Sequence, residues 1–140
     1  MAVDTTLGVT VTWWEPRADE DWDATRTLYA YLDPETGEVV YIWKADYCSA
    51  HERTSDHETD KRFLERVDLD EWDTIFGEVT EISEMNRLSV PLLQDIEELL
   101  IWHLRPRGNA NVADPKRIGL RVTCDGAWPE GEDDEFMDPG

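Results

Sequence analysis

The chain has few cations and no long apolar run. Nothing in it approaches the roughly 20 apolar residues that span a bilayer. Nor does a basic segment lead into an apolar one at the N-terminus, so a soluble, cytoplasmic protein with no membrane partner is expected. Cysteine is scarce: Cys48 and Cys124 stand far apart without metal-ligand spacing and read as reduced thiols, which excludes a disulfide framework and a zinc site. Of 13 cations only Lys44, Lys61 and Lys116 are lysines, against 33 acids, for a formal charge of -20. That balance excludes a broad basic surface of the kind that neutralises phosphates. Repeats and heptad runs are also missing, and 140 residues suffice for one domain with its own core.

Such acidity has three readings. It suits solubility in concentrated salt, it could bind a basic protein partner or imitate DNA, or it is a solvated surface with acidic ends. Ala18 to Asp23 forms an acidic connector, and the last sixteen residues hold seven acids among glycine and proline, so a structureless tail is expected after Trp128. The expected organisation is a strand and connector over residues 1–25, a folded domain over 26–125 and an acidic tail over 126–140. The one locally basic stretch runs from Arg105 through Arg107, Lys116 and Arg117 to Arg121, with a single acid, Asp114. These five cations are the candidate phosphate contacts.

Leu7 to Trp14 alternates apolar and polar residues and reads as a strand at a sheet edge. Arg26 to Leu32 and Glu38 to Lys44 are β-rich runs joined by Asp33-Pro34-Glu35-Thr36-Gly37, a turn sequence, and form a hairpin. Symmetric closure about Glu35 sets Tyr29 opposite Tyr41, with Tyr31 and Trp43 on the same face. Ser49 with Glu52 makes a capping box, so a helix starts near Ala50 and carries Arg53 and His57 one turn apart. Short helices are expected over Asp60–Val67 and Asp70–Phe76, the second ended by Gly77, followed by strand-like alternation over Glu78–Ser83 and a last strand over Ile118–Cys124.

Ser89 to Asn109 is the best-defined helix. Ser89 is its N-cap, Pro91 sits in the first turn, and Arg105-Pro106 ends it. Leu93, Ile96, Leu100, Ile101 and Leu104 recur at helical spacing, and Glu97 falls among them while Asp95 and Glu98 turn outward. A carboxylate on that face needs a cation, a metal ion or donors, or else it snorkels at the stripe's edge to an arginine. The elements together predict an α+β fold: a small, mostly antiparallel sheet with a central hairpin, flanked by helices.

Several of these residues form a pattern. Thr27-Leu28-Tyr29, Tyr41-Ile42-Trp43 with Lys44-Ala45, Arg53 on the next helix, and Glu97-x-x-Leu100-Ile101 followed by Pro106 and Asn109 stand in one order over residues 26–110. In this the chain resembles the GIY-YIG nuclease family. The Arg53/His57 spacing is most similar to its restriction-enzyme branch, and the YIxKA run to the nuclease domain of the excision-repair incision enzyme. Thr27 and Trp43 stand where the family's half-motifs carry glycine, and the Trp43 ring either joins a substrate platform or blocks the site.

The resemblance implies a DNA endonuclease using Mg²⁺ or Mn²⁺ and hydrolysing a phosphodiester in one step. Glu97 would be the single protein ligand of the metal. Tyr29 would be the general base, its phenolate stabilised by Lys44 or His57 because an unperturbed phenol with a pKa of about 10 is a poor base at neutral pH. Tyr41 would orient water or phosphate, Arg53 would neutralise phosphoryl charge, and Asn109 would fix the loop after the helix or donate to a phosphate. DNA is the implied partner, and double-strand cutting by one site would call for a homodimer. The alternative from another class is a catalytically lapsed scaffold of this family whose acidic surface binds a basic protein or mimics DNA as an inhibitor.

Overall fold

A computed structural model describes residues 7–15, 27–45, 60–83, 89–109, 112, 115 and 119–137. The acidic connector, the helix expected at Ala50 with Arg53 and His57, Cys48, Lys116 and Arg117 lie outside the described residues. Among the described residues six strands form one sheet: β1 (Leu7–Trp14), β2 (Thr27–Leu32), β3 (Val39–Ala45), β4 (Asp73–Ile82), β5 (Leu120–Gly126) and β6 (Glu135–Met137), in the order β3-β2-β4-β1-β5-β6. All neighbouring pairs are antiparallel except β1 with β5. Two helices accompany them among the described residues, α1 (Lys61–Val67) and α2 (Val90–Leu104).

This corrects the expected fold class. Strand takes 43% of the described structure against 24% for helix, and the sheet curls into a half-barrel instead of lying small between flanking helices. The hairpin β2–β3 occupies an edge of the sheet, and β1, expected at an edge, lies between β4 and β5. Alternation reveals that one face of a strand is buried, but it carries no information about how many neighbours pair with its backbone.

The largest local error is Asp70–Phe76. Trp72 and Phe76 are spaced for a helical face, yet β4 begins at Asp73 and continues through Gly77 to Ile82, pairing with β2 on one side and β1 on the other. Two ladders satisfy its backbone and override the weak helical pattern. Gly77, read as a helix terminator, sits opposite Trp13 of β1, and a Cβ there would lie 2.9 Å from three atoms of the Trp13 ring. The glycine exists because an indole lies across it.

Both helix starts are as the residues demand. Asp60 Oδ1 accepts from the N–H groups of Arg62 (3.0 Å) and Phe63 (3.3 Å) at the start of α1, and Ser89 Oγ accepts from Leu92 N–H (3.2 Å) at the start of α2, with Pro91 in its first turn. Each helix ends on a left-handed residue, Asp68 (φ 56) and Arg105 (φ 46).

The sheet buries both faces. On one, Leu92, Leu93, Ile96, Leu99, Leu100 and Ile101 of α2 meet Leu28 and Ala30 of β2, Ile42 of β3, and Val9, Val11 and Trp13 of β1. On the other lie aromatic clusters: Tyr29, Trp43 and Phe76 in one, and Tyr31, Val40, Phe63 and Val67 with α1 in the next. The tail expected to lack structure after Trp128 instead closes the first core. Cys124 N–H donates to Asp134 carbonyl (2.7 Å), β6 pairs with β5, and Trp128 and Phe136 are buried beside Trp13. Two aromatic side chains, each worth about 1.5–3 kcal/mol when buried, outweigh the chain's acidic composition there. Among the described residues no helix is long and apolar enough to cross a membrane.

Candidate functional site

The hairpin that carries the tyrosines is closed by its turn. Asp33 Oδ1 accepts from Glu35 N–H (2.9 Å), Asp33 N–H donates to Glu38 carbonyl (2.9 Å), and Gly37 adopts φ 76. Tyr31 pairs with Tyr41 and Leu32 with Val39, which leaves Val40 as the extra residue of a bulge. The register is therefore displaced from the symmetric one, and Tyr29 faces Trp43 instead of Tyr41.

That displacement decides the surroundings of Tyr29. Its ring stacks on Trp43 with centroids 4.4 Å apart and 22° between planes, and meets Phe76 edge-on at 4.7 Å. Tyr29 is 0% exposed and Trp43 4%. The Trp43 ring lies against one face of the phenol ring. Tyr41 is half-buried and packs against both clusters, 5.4 Å from Tyr31 and edge-on to Phe63 at 5.0 Å.

Lys44 and Glu97 lie on the other side of the sheet from Tyr29. Lys44 pairs with Leu28, so strand alternation sends it to the sheet face opposite Tyr29. Glu97 is half-buried on α2, whose apolar side covers the Leu28, Ala30 and Ile42 face and not the tyrosine face. The buried stripe of α2 also includes Leu92 and Leu99. Gln94 Nε2 donates to Glu98 Oε1 (3.2 Å), and Asp95, Glu97 and Glu98 are all half-buried.

Asn109 does fix the loop after the helix. Its Oδ1 accepts from Ile42 N–H (3.0 Å), its Nδ2 donates to Ile42 carbonyl (2.9 Å), and Gly108 N–H donates to Val40 carbonyl (2.7 Å). Loop 105–109 thus seals part of the outer edge of β3, and a Cβ on Gly108 would sit 2.6 Å from Val40 carbonyl oxygen. The described cations of the basic stretch do not converge either. Arg107 Nε donates to Val67 carbonyl (2.7 Å) and its guanidinium pairs with Glu38 (3.5 Å), Arg105 lies over the Trp102 ring, and Arg121 pairs with Glu135 between β5 and β6. Arg107 and Arg121 therefore serve opposite ends of the sheet.

Glu97 brings one carboxylate on a helix packed away from Tyr29, and among the described residues no group of three or more His, Cys, Asp or Glu side chains could hold a metal ion. No family model, curated protein or solved structure matches the chain. The described residues offer instead a chemistry that motif reading passed over, because it is spread over three segments: exposed carboxylates gathered around the hairpin turn and α1.

Proposed function

We propose that this chain is an acidic binding protein that docks on a basic, nucleic-acid-binding protein, and that the residues it shares with the nuclease motif serve its fold. The observation that carries this reading is that carboxylates stand exposed around the hairpin turn and α1 while several of the described arginines are engaged by the protein itself. Arg66 donates to Gly108 carbonyl, Arg107 is held by Val67 carbonyl and Glu38, and Arg121 is paired with Glu135. The carboxylates of Glu35, Glu65, Asp68, Asp70 and Glu71 are exposed, in a chain of formal charge -20. A field of one sign steers a cationic partner toward it and repels a polyanion. Hydrolysis through Tyr29 would need water and phosphate to reach a phenol enclosed by Trp43 and Phe76.

Two assays on the intact protein test the reading. Titrated into a fluorescent duplex bound by a purified basic DNA-binding protein, the chain should release the duplex, less effectively as salt rises. Incubated with plasmid and Mg²⁺ or Mn²⁺ from low to molar salt, it should leave the plasmid intact. Cleavage that is lost in Glu97→Ala and Tyr29→Phe would replace this reading with the endonuclease.

A further inference from the structure

Between the β2–β3 turn and α1 runs a groove of about 1040 Å³. Asp33, Glu35, Glu65, Asp68, Asp70 and Glu71 stand along it, with Lys61 as its single cation. It is more than an acidic cluster, because the same groove is lined by Leu64, Leu69, Pro34 and Trp72. Trp72 is anchored from behind: it stacks on Tyr31 at 5.1 Å and meets Phe63 at 5.7 Å, and it remains only half-buried. The groove therefore joins a rigid aromatic floor to a rim of carboxylates. We infer that it is the docking site for an arginine-rich, amphipathic segment of the basic partner, an inference that rests on the binding reading above.

Charge complementarity and the floor select this occupant together. The carboxylate rim rejects phosphates and favours guanidinium groups, which bind carboxylates in a fork and stack on aromatic faces. The floor needs an apolar body between the cations, because water over Trp72, Leu64 and Leu69 gains free energy only when apolar surface replaces it. A volume of this size accepts a short segment, not a folded domain. The structure thus assigns the charged half of recognition to the rim and the anchoring half to Trp72, the residue type most often found at the energetic centre of an interface.

The test uses the full chain and a synthetic peptide of arginine and leucine in helical register, with an all-arginine peptide and spermine as comparators. In calorimetric titration the arginine/leucine peptide should bind more tightly than either comparator, and the Trp72 indole resonance should shift. Neutralising the rim with Glu65→Gln, Asp70→Asn and Glu71→Gln together should weaken binding by about tenfold at low salt. The matched set Glu78→Gln, Glu81→Gln and Asp125→Asn, exposed and outside the groove, should change it less than about twofold. Equal weakening by both sets would overturn the groove and leave the binding reading standing, since attraction would then be diffuse. Comparators that bind as tightly as the arginine/leucine peptide would overturn the role of the floor and so the inference. Self-association abolished by the rim variants would reassign the groove to a second copy of this chain. No binding of any basic probe to the unmodified protein would overturn both the inference and the reading beneath it.

Discussion

Replacing Gly77 by alanine puts a methyl carbon 2.9 Å from three atoms of the Trp13 ring, closer than van der Waals contact allows. The ring has little freedom to retreat. Trp13 is buried, packs on Trp128 with centroids 5.0 Å apart, and its backbone carbonyl accepts from Ala127 N–H (2.8 Å). On the other side Gly126, at φ 73, approaches that same carbonyl too closely for any side chain of its own. Overpacking of this kind costs about 1–3 kcal/mol. Alanine returns about 0.4–1 kcal/mol by restricting the unfolded chain. The net expectation is destabilisation of about 1–2 kcal/mol, read as a lower urea midpoint at unchanged slope by far-ultraviolet circular dichroism and tryptophan fluorescence together. A double-mutant cycle with Trp13→Phe isolates the contact: the smaller ring should absorb most of the Gly77→Ala penalty, leaving a coupling of about 1 kcal/mol. A neutral or stabilising Gly77→Ala, or zero coupling, would falsify the account of why β4 carries a glycine at its centre.

The tail is testable in the same way: Phe136→Ala should cost about 3–5 kcal/mol in urea unfolding, since its ring is buried against Trp128 and His103, whereas a tail without packing would lose nothing. Asn109→Ala removes both bonds to the Ile42 backbone and should destabilise by about 1–3 kcal/mol, with faster hydrogen exchange at the Ile42 amide than at its neighbours. Burial pushes the Cys124 thiol from 9.0 up to about 12, with the Trp13 indole acting in the opposite sense. The folded state therefore holds this proton more tightly than the unfolded one, so the stability it contributes is complete below pH 9 and is lost as pH rises toward 12; a Cys124→Ala variant should show a flatter decline over that window, and identical profiles would refute the assignment. Asp68 ends α1 at φ 56, where glycine carries no Cβ penalty, so Asp68→Gly should raise stability by up to about 1 kcal/mol while weakening the arginine/leucine peptide.

The sequence by itself determined the features that depend on a few adjacent residues. Asp33-Pro34-Glu35-Thr36-Gly37 specified a tight turn between two β-rich runs, Ser89 and Pro91 specified where α2 begins, and alternation from Leu7 to Trp14 specified a strand with one apolar face. These signals act through local dihedrals and side-chain caps, and they hold in any tertiary setting. Strand order, register and the company each side chain keeps were decided only by tertiary structure. A single extra residue at Val40 moved Tyr29 from Tyr41 to Trp43, two long-range ladders turned Asp73–Phe76 from a helical pattern into the middle of a sheet, and Trp128 and Phe136 drew an acidic tail into the core. Each of those outcomes is set by contacts between residues distant in the chain, which local spacing does not encode. The same limit applies to the motif residues: their order along the chain put Tyr29, Lys44 and Glu97 in one constellation, and the two faces of a curled sheet set Tyr29 apart from the other two.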